Sequence, residues 1–518
     1  MAKKFNVTGT CMPEEDYMVD ILTKLKRIKA MVDQKNYFTI NRGRQYGKTT
    51  TLVQLRKLLV DEYRVILLSF QGFDDENFKN SEKFCQEFLT SVSEYFEATG
   101  SAENWLNKEV KTFSDLSRHI TKKCKGKKVV LMIDEVDQAS NNRVFLNFLD
   151  ILRTKFLRRK EGTDFTFHSV ILVGVYDIKN IKLKMVQEGL HPLSSGEKQQ
   201  NSPWNIAADF EVDLSFSPSE IAGMLQDYEV DHHTGMDVSQ MAKEIYFYTN
   251  GYPVLVSRIC WYLDRKLKQW NLDNVREAVR RLARETDNEL FKSLSQNLEN
   301  NESVRKLLYD VLILGVRRSF SVDNPSVGLA HRYSYIEEVN DQVRVSNKIL
   351  EMRMMNYFIS KDEEQSGVTL SHGYMAEITR GGRLNMQLCL ERFLVHWQEM
   401  DTEKERKFLE NQCRMIFLTY LKPFLNGVGF VFIETALMDD KRMDLVVVDQ
   451  RDRFVLELKT WKGQLYNEQG VTQLLGYMEK LTVERGYLLT FDFRKQPEKF
   501  ESSWRQEGKR QIFEARVF

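Results

Sequence analysis

Proline is scarce in this chain, at 8 of 518 residues, and cysteine is scarcer, at 6. With 42% hydrophobic residues, so little proline leaves no room for a long extended tract, and the chain should fold throughout. The cysteines, Cys11, Cys85, Cys124, Cys260, Cys389 and Cys413, form no CxxC pair and have no histidines at zinc-ligand spacing. That excludes a disulfide framework and a structural zinc site, and reads as buried thiols in a reducing compartment. Neither sign of charge dominates, with 75 basic against 74 acidic side chains. No global field draws the chain to nucleic acid or anionic lipid, so any such binding must be local. Nothing approaches the run of about 18 apolar residues that a membrane span needs. The N-terminal MAKKFNVTGTCMPEEDYMVDI also lacks the apolar core of a signal peptide. The expectation is a cytoplasmic protein with no membrane partner.

At about 150 residues per domain, the length suggests three or four units. In the first third, short apolar runs alternate with amphipathic helical stretches, the pattern of a parallel sheet covered by helices. The strand candidates are residues 37–40, 63–70, 128–135, 167–175 and 208–216, with helical segments at Lys48 to Asp61 and Asn142 to Arg159. After Pro218 helical periodicity takes over to about residue 300. From Val304 to Phe358 the reading is a helix, a loop around Asp323 to Gly328, and a short strand pair, YIEEV and VRVSN, turning at Asn340 and Asp341. A polar stretch follows around Lys361 to Gly382. The last 120 residues or so read as helix, strand, strand, strand, helix, strand.

Two segments carry chemistry. YFTI, then NRGRQYGKTT, then a helical TTLVQLRKLL place a glycine-containing turn between a buried strand and a helix. Backbone N–H groups and the positive helix end there suit phosphate oxygens. Gly43, Gly47, Lys48, Thr49 and Thr50 are the candidate nucleotide contacts, with Lys48 reaching the terminal phosphates and the Thr49 hydroxyl on magnesium. The pattern GxxxxGK[ST] expects glycine where Arg42 stands, and Gly43 is displaced by one. VVLMIDEVD then sets Asp134 and Glu135 at the end of an apolar strand, where carboxylates are costly unless used. Asp134 would act on hydrated magnesium and Glu135 on the attacking water.

With these motifs, residues 20 to 300 resemble an AAA-like P-loop ATPase of the additional-strand glutamate class, similar to the STAND and archaeal-type ATPases. The resemblance implies ATP as ligand and a core over 1–216 with a helical lid over 217–300. NGYPVLVSRICWYL is similar to the lid's GxP segment, which implies Pro253 as a nucleotide contact and Arg258 as a lesser one. The sensor position after the fourth strand is poorly matched by Gly174 and Tyr176. Arg153, Arg158 and Arg159 are available as arginine fingers, against the plainer reading of a solvated helix face. Such sites often borrow an arginine from a neighbouring copy, which implies a homo-oligomer.

The second segment is DLVVVDQRDRFVLELK at 444–459. A hairpin turning at QRDR would set Asp444 opposite Lys459 and Val446 opposite Glu457, so that Asp444, Glu457 and Lys459 share one face. Two carboxylates can bind magnesium or manganese, and the lysine can act on water or developing charge. A buried structural ion network is the plainer alternative. MDLVVV followed by LELK resembles the PD-(D/E)xK nuclease superfamily over 395–518. Gln473 and Tyr477 of QLLGY are similar to its QxxxY element, and Glu410 and Glu434 are further candidate acids.

The whole order, AAA-like core, lid, winged-helix-like module at 301–360, linker at 361–394 and nuclease-like unit, is similar to a large group of bacterial AAA-like ATPases with nuclease domains. It implies a multidomain α/β chain whose partners are ATP and nucleic acid, DNA foremost, in genome maintenance, mobile elements or phage defence. The alternative is a STAND-like signalling switch whose C-terminal fold binds a partner. Residues 395–518 hold 20 basic and 20 acidic side chains, without the excess of a strong nucleic-acid binder. Arg258 to Arg284 is richer, with 8 basic against 3 acidic. It either follows a phosphate backbone or forms the exposed side of lid helices.

Overall fold

The computed structural model describes residues 3–139, 143–175, 204–313, 316–366, 378, 383–399, 410–425, 429–434, 444–449, 452–494 and 502–518. The chain divides into two compact units. One comprises Met1–Tyr228 with Tyr252–Ser257 and Arg332–Ser334, and the other the remaining segments through Phe518. Among the described residues no disulfide forms and no helix is long and apolar enough to cross a membrane.

The first unit is built on four parallel strands: β1 (Tyr37–Asn41), β2 (Arg64–Ser69), β3 (Val129–Asp134) and β4 (Ser169–Gly174), in the order β1-β4-β3-β2. β3 and β4 are buried along their whole length. Such continuous Val, Ile and Leu runs suit a sheet covered on both faces. Alternation assigns the side chains: Leu131, Ile133, Val170 and Leu172 enter one core cluster, while Val130, Met132, Ile171 and Val173 enter the other. Each fully buried side chain of this kind contributes roughly 1.5–3 kcal/mol. This rigid sheet delivers the carboxyl ends of β1, β3 and β4 to one edge, where polar residues begin.

The second unit contains a two-stranded hairpin and a six-stranded mixed sheet. In the hairpin β5 (Ile336–Val339) and β6 (Gln342–Val345) turn through Asn340 and Asp341, with φ 52° and 60°. Two successive left-handed residues give the twist that a two-residue hairpin needs. The sheet has the order β11-β12-β10-β9-β8-β7, where β7 is Gly429–Glu434, β8 Asp444–Asp449, β9 Asp452–Thr460, β10 Arg485–Phe491, β11 Ser503–Glu507 and β12 Arg510–Val517. β7, β8 and β9 form an antiparallel meander, β9, β10 and β12 run parallel, and β11 closes the edge antiparallel to β12. The helix Gln464–Lys480 connects β9 to β10 and buries Val471, Leu474 and Met478 against Val455 and Leu488.

Four expectations change. Residues 208–216 form no strand among the described residues: only Ala208 bridges Phe38, while Val212 and Leu214 still pack into the core. Four residues beyond that bridge the Arg42 guanidinium donates to the Val212 carbonyl. The loop placed around Asp323 to Gly328 gives way to a helix from Pro325 to Arg332. Asn324 begins it, its side chain accepting the N–H groups of Ser326 and Val327, and a proline first residue suits a helix start. The C-terminal unit gains β11 and β12. Finally, the β8–β9 register is two residues tighter than expected, with Val446 opposite Val455 and Asp449 opposite Asp452. A shift of two preserves every side chain's face.

Candidate functional site

In the first unit β1 ends at Asn41, the chain turns through Arg42 to Tyr46, and Gly47, at φ 76°, caps the helix Lys48–Leu59. That left-handed cap is cheap only for glycine. The loop's shape is held from outside. The Gly43 N–H donates to Ser334 Oγ at 3.0 Å, and a Cβ on Gly43 would fall 2.6 Å from the Tyr333 carbonyl oxygen. The displaced glycine of the motif is therefore where another main chain comes too close for any side chain. Tyr252 Oη donates to the Arg44 carbonyl at 2.6 Å and its ring packs edge-on against Tyr46.

Lys48, 8% exposed, donates through Nζ to the carbonyls of Arg42 (3.0 Å) and Gly43 (2.8 Å). Burial lowers its affinity for the proton, while the charges of Asp137, Glu135 and Asp134 act the other way. Thr49 Oγ1 donates to Asp134 Oδ2 at 2.5 Å, and Asp134 Oδ1 accepts the Glu135 N–H at 2.9 Å. Glu135 itself is left-handed, at φ 55°. Its carboxyl titrates above the usual range, first because it is partly buried and then because Asp134 stands beside it. A hydroxyl, two carboxylates and an ammonium thus meet where the amides of a helix N-terminus point outward, a setting made for phosphate and a hard cation.

Next to this loop lies a cavity of about 140 Å³, lined by Asn6 to Gly9, Cys11, Tyr17 to Val19, Gly47, Thr50, Thr51, Pro253, Val254 and Ser257 among others. The Cys11 N–H donates to Thr50 Oγ1 at 3.1 Å, fastening the N-terminal segment to the loop. Pro253 lies 3.9 Å from where a Gly47 Cβ would stand, so Gly43, Gly47, Lys48, Thr49, Thr50, Asp134, Glu135 and Pro253 do share one neighbourhood. The N-terminal wall, Ser334 and Asp137 were missed; only Asp137, the last residue of VVLMIDEVD, carried a local signal.

Other expected residues are engaged elsewhere. The Arg159 guanidinium donates to the carbonyls of Phe167, His168 and Lys35, which consumes it as a finger. Arg258 pairs with Glu285 at 3.0 Å. Arg265, Arg276, Arg280 and Arg281 likewise face Asp264, Glu244 and Glu277, so these five arginines are paired with carboxylates from within the stretch and from beside it. Tyr176 lies outside the described residues.

In the second unit Glu457 and Lys459, 1% and 3% exposed, point the same way from β9 with Lys459 Nζ 2.6 Å from Glu457 Oε1. Lys459 Nζ also donates to Gln473 Oε1 at 2.7 Å. Gln473 therefore reaches the site, whereas Tyr477, one turn on, is buried in the apolar cluster between helix and sheet. β8 carries Asp444 in register with Glu434, and one further step of the β8–β9 register brings Asp444 opposite Glu457. The side chains of Asp444, Glu434 and Glu410 lie outside the described residues. Among those described, no group of three or more His, Cys, Asp or Glu stands together as a metal site.

Residues 17–351 match the AAA-like domain family and residues 428–501 match the PD-(D/E)XK nuclease superfamily. No curated protein matches in sequence. Among solved structures, the chain is similar to a Walker-type ATPase of Pyrococcus abyssi at 10% identity and TM-score 0.47, covering 68% of this chain and 99% of that one. It is also similar to the ADPNP–ADP complexes of the ORC2 protein of Aeropyrum pernix at 10% identity and TM-score 0.35, covering 70% and 97%.

Proposed function

Because the chain belongs to the AAA-like domain family and carries a PD-(D/E)XK nuclease domain behind it, we propose that it binds and hydrolyses ATP in its first unit and cleaves DNA phosphodiesters in its last. The observation that carries the first half is the Thr49–Asp134 contact at 2.5 Å beside buried Lys48. The second half rests on the buried Glu457, Lys459 and Gln473 group.

The donors fit a small divalent cation. A hydroxyl and a carboxylate already in contact are hard oxygen ligands, and Thr49 with Asp134 would hold magnesium at the ATP site. Asp444 and Glu457 would hold magnesium or manganese at the nuclease site. Bound there, the metal would offset phosphate charge and polarise the phosphorus–oxygen bonds. The chain's own residues do the rest. Lys48, exchanging its two carbonyl partners for phosphate oxygens, neutralises the triphosphate, and the amides after Gly47 cradle it. Glu135, whose proton affinity is already raised, orients and takes a proton from the attacking water. The cavity between the N-terminal segment and Pro253 accepts the base, with its apolar walls excluding water.

At the other site Lys459, braced by Gln473, orients water or stabilises the charge developing on phosphate, while the covering helix keeps the pair dry. This reading places the protein in the reducing cytoplasm of a bacterium, in genome maintenance, mobile elements or phage defence. It also has further copies of the chain supplying the arginine finger. Phosphate release and cleavage of single- and double-stranded DNA by the full chain test it. ATP turnover with no metal-dependent cleavage would favour the signalling-switch alternative.

A further inference from the structure

Three carboxylates stand at the end of β3 and just beyond it, and the proposed function uses only Asp134 and Glu135. The third, Asp137, lies on the short turn Val136–Ala139. Its Oδ2 accepts the Val175 N–H at 2.6 Å, just beyond β4. A Cβ on Gly174 would fall 2.8 Å from Asp137 Oδ1 and 3.0 Å from its Cγ, so the poorly matched glycine at the end of β4 is where this carboxylate lies against the main chain. The Gly174 carbonyl in turn accepts the Arg42 N–H at 3.2 Å, and the Arg42 carbonyl accepts Lys48 Nζ. Asp137 therefore ties the end of β3 to the end of β4 and, through it, to the entry of the phosphate-binding loop.

Between the pinned residues Asp134 and Asp137 stands Glu135, at φ 55°. A left-handed conformation is unfavourable for glutamate and persists only where the surroundings over-determine it. Asp134 is fixed on one side by Thr49, and Asp137 on the other by Val175. We propose that Asp137 is a positioning residue of ATP hydrolysis, holding Glu135 in its left-handed conformation and the end of β4 against the phosphate-binding loop. This rests on the ATPase reading above. With that pin gone the turn relaxes and the Glu135 carboxylate drifts from its aim, and a displacement of about 1 Å costs on the order of a hundredfold in rate.

The test uses the full chain with Asp137→Ala, Asp137→Asn, Gly174→Ala and the Gly174→Ala/Asp137→Ala pair, measuring ATP turnover at saturating ATP, nucleotide affinity and melting temperature. Asp137→Ala should lose roughly 10- to 100-fold in kcat with nucleotide affinity within about twofold. Gly174→Ala deletes no interaction, yet its methyl displaces the Asp137 carboxylate, so it should show the same loss. The pair should be no worse than Asp137→Ala alone, because both changes remove one contact. Asp137→Asn keeps an acceptor for Val175 and should recover part of the rate. Wild-type kcat in Asp137→Ala, losses that multiply in the pair, or a loss confined to melting temperature would overturn the proposal. Equal turnover by wild type and Glu135→Gln would instead remove the ATPase reading itself, and this inference with it.

Discussion

Gly43→Ala puts a methyl where the structure leaves no space. An ideal Cβ lies 2.6 Å from the Tyr333 carbonyl oxygen and 3.0 Å from Cβ and Oγ of Ser334. The nearest atom is main chain, which cannot swing aside as a side-chain tip can. Overpacking of this kind costs about 1–3 kcal/mol. Loss of the hydrogen bond from the Gly43 N–H to Ser334 Oγ adds about 1 kcal/mol, for a total near 2–4 kcal/mol. If the contact simply opens, the cost appears as a lower melting temperature. If the loop moves instead, it appears as nucleotide affinity weaker by roughly 30- to 700-fold, at about 1.4 kcal/mol per decade. Thermal unfolding and nucleotide titration of the full chain read both routes. Two controls separate sterics from bonding. Ser334→Ala removes only the hydroxyl and should cost about 1 kcal/mol. Ser334→Gly also loses it but relieves the strain of a serine at φ 58°, and should lie closer to wild type. Wild-type melting and wild-type affinity in Gly43→Ala would refute the reasoning.

Lys48→Ala should weaken both ATP binding and turnover, while Glu135→Gln should bind ATP and turn it over slowly; a Glu135→Gln variant at wild-type rate removes that residue from the chemistry. Burial, with Arg159, Lys35 and Lys128 nearby, moves His168 from the ordinary 6.5 down to about 4. Folding therefore favours its neutral form, and the stability it carries is whole above pH 6.5 and lost as pH falls from there towards 4. His168→Gln should flatten the fall of melting temperature over that window, and an unchanged slope contradicts the assignment. At the nuclease site, Lys459→Met leaves the Glu457 carboxylate buried without its cation and should cost about 3 kcal/mol in the absence of metal. Added magnesium should restore part of that stability without restoring cleavage, and melting that ignores the metal would point to a structural ion network.

The strands of both sheets were largely legible because apolar runs and two-residue periodicity are local properties. The glycine-capped turn into the helix Lys48–Leu59 was legible for the same reason, since Gly47, Lys48 and Thr49 are neighbours in sequence. At β8 and β9 the expected register was wrong by two residues, yet an even shift leaves parity unchanged, and Glu457 and Lys459 do share a face of β9, while the side chain of Asp444 lies outside the described residues. Residues 208–216 misled because buried alternation at Val212 and Leu214 imitates a strand, while among the described residues only Ala208 bridges the sheet. What sequence could not supply was long-range approach. Gly43 meets Ser334 across 291 positions, and Asp137 meets Val175 across 38. Gly43 and Gly174, the glycine that ends β4, both stand where these approaches leave no room for a side chain.

The most direct test of two separate active sites on one chain is a paired assay of ATP turnover and metal-dependent DNA cleavage on full-length wild type, Glu135→Gln and Asp444→Ala. Asp444→Ala should abolish cleavage while ATP turnover stays at wild-type rate, and Glu135→Gln should slow turnover while the protein still binds ATP. Cleavage that persists in Asp444→Ala at the wild-type rate, or ATP turnover indifferent to Glu135→Gln, would contradict the account.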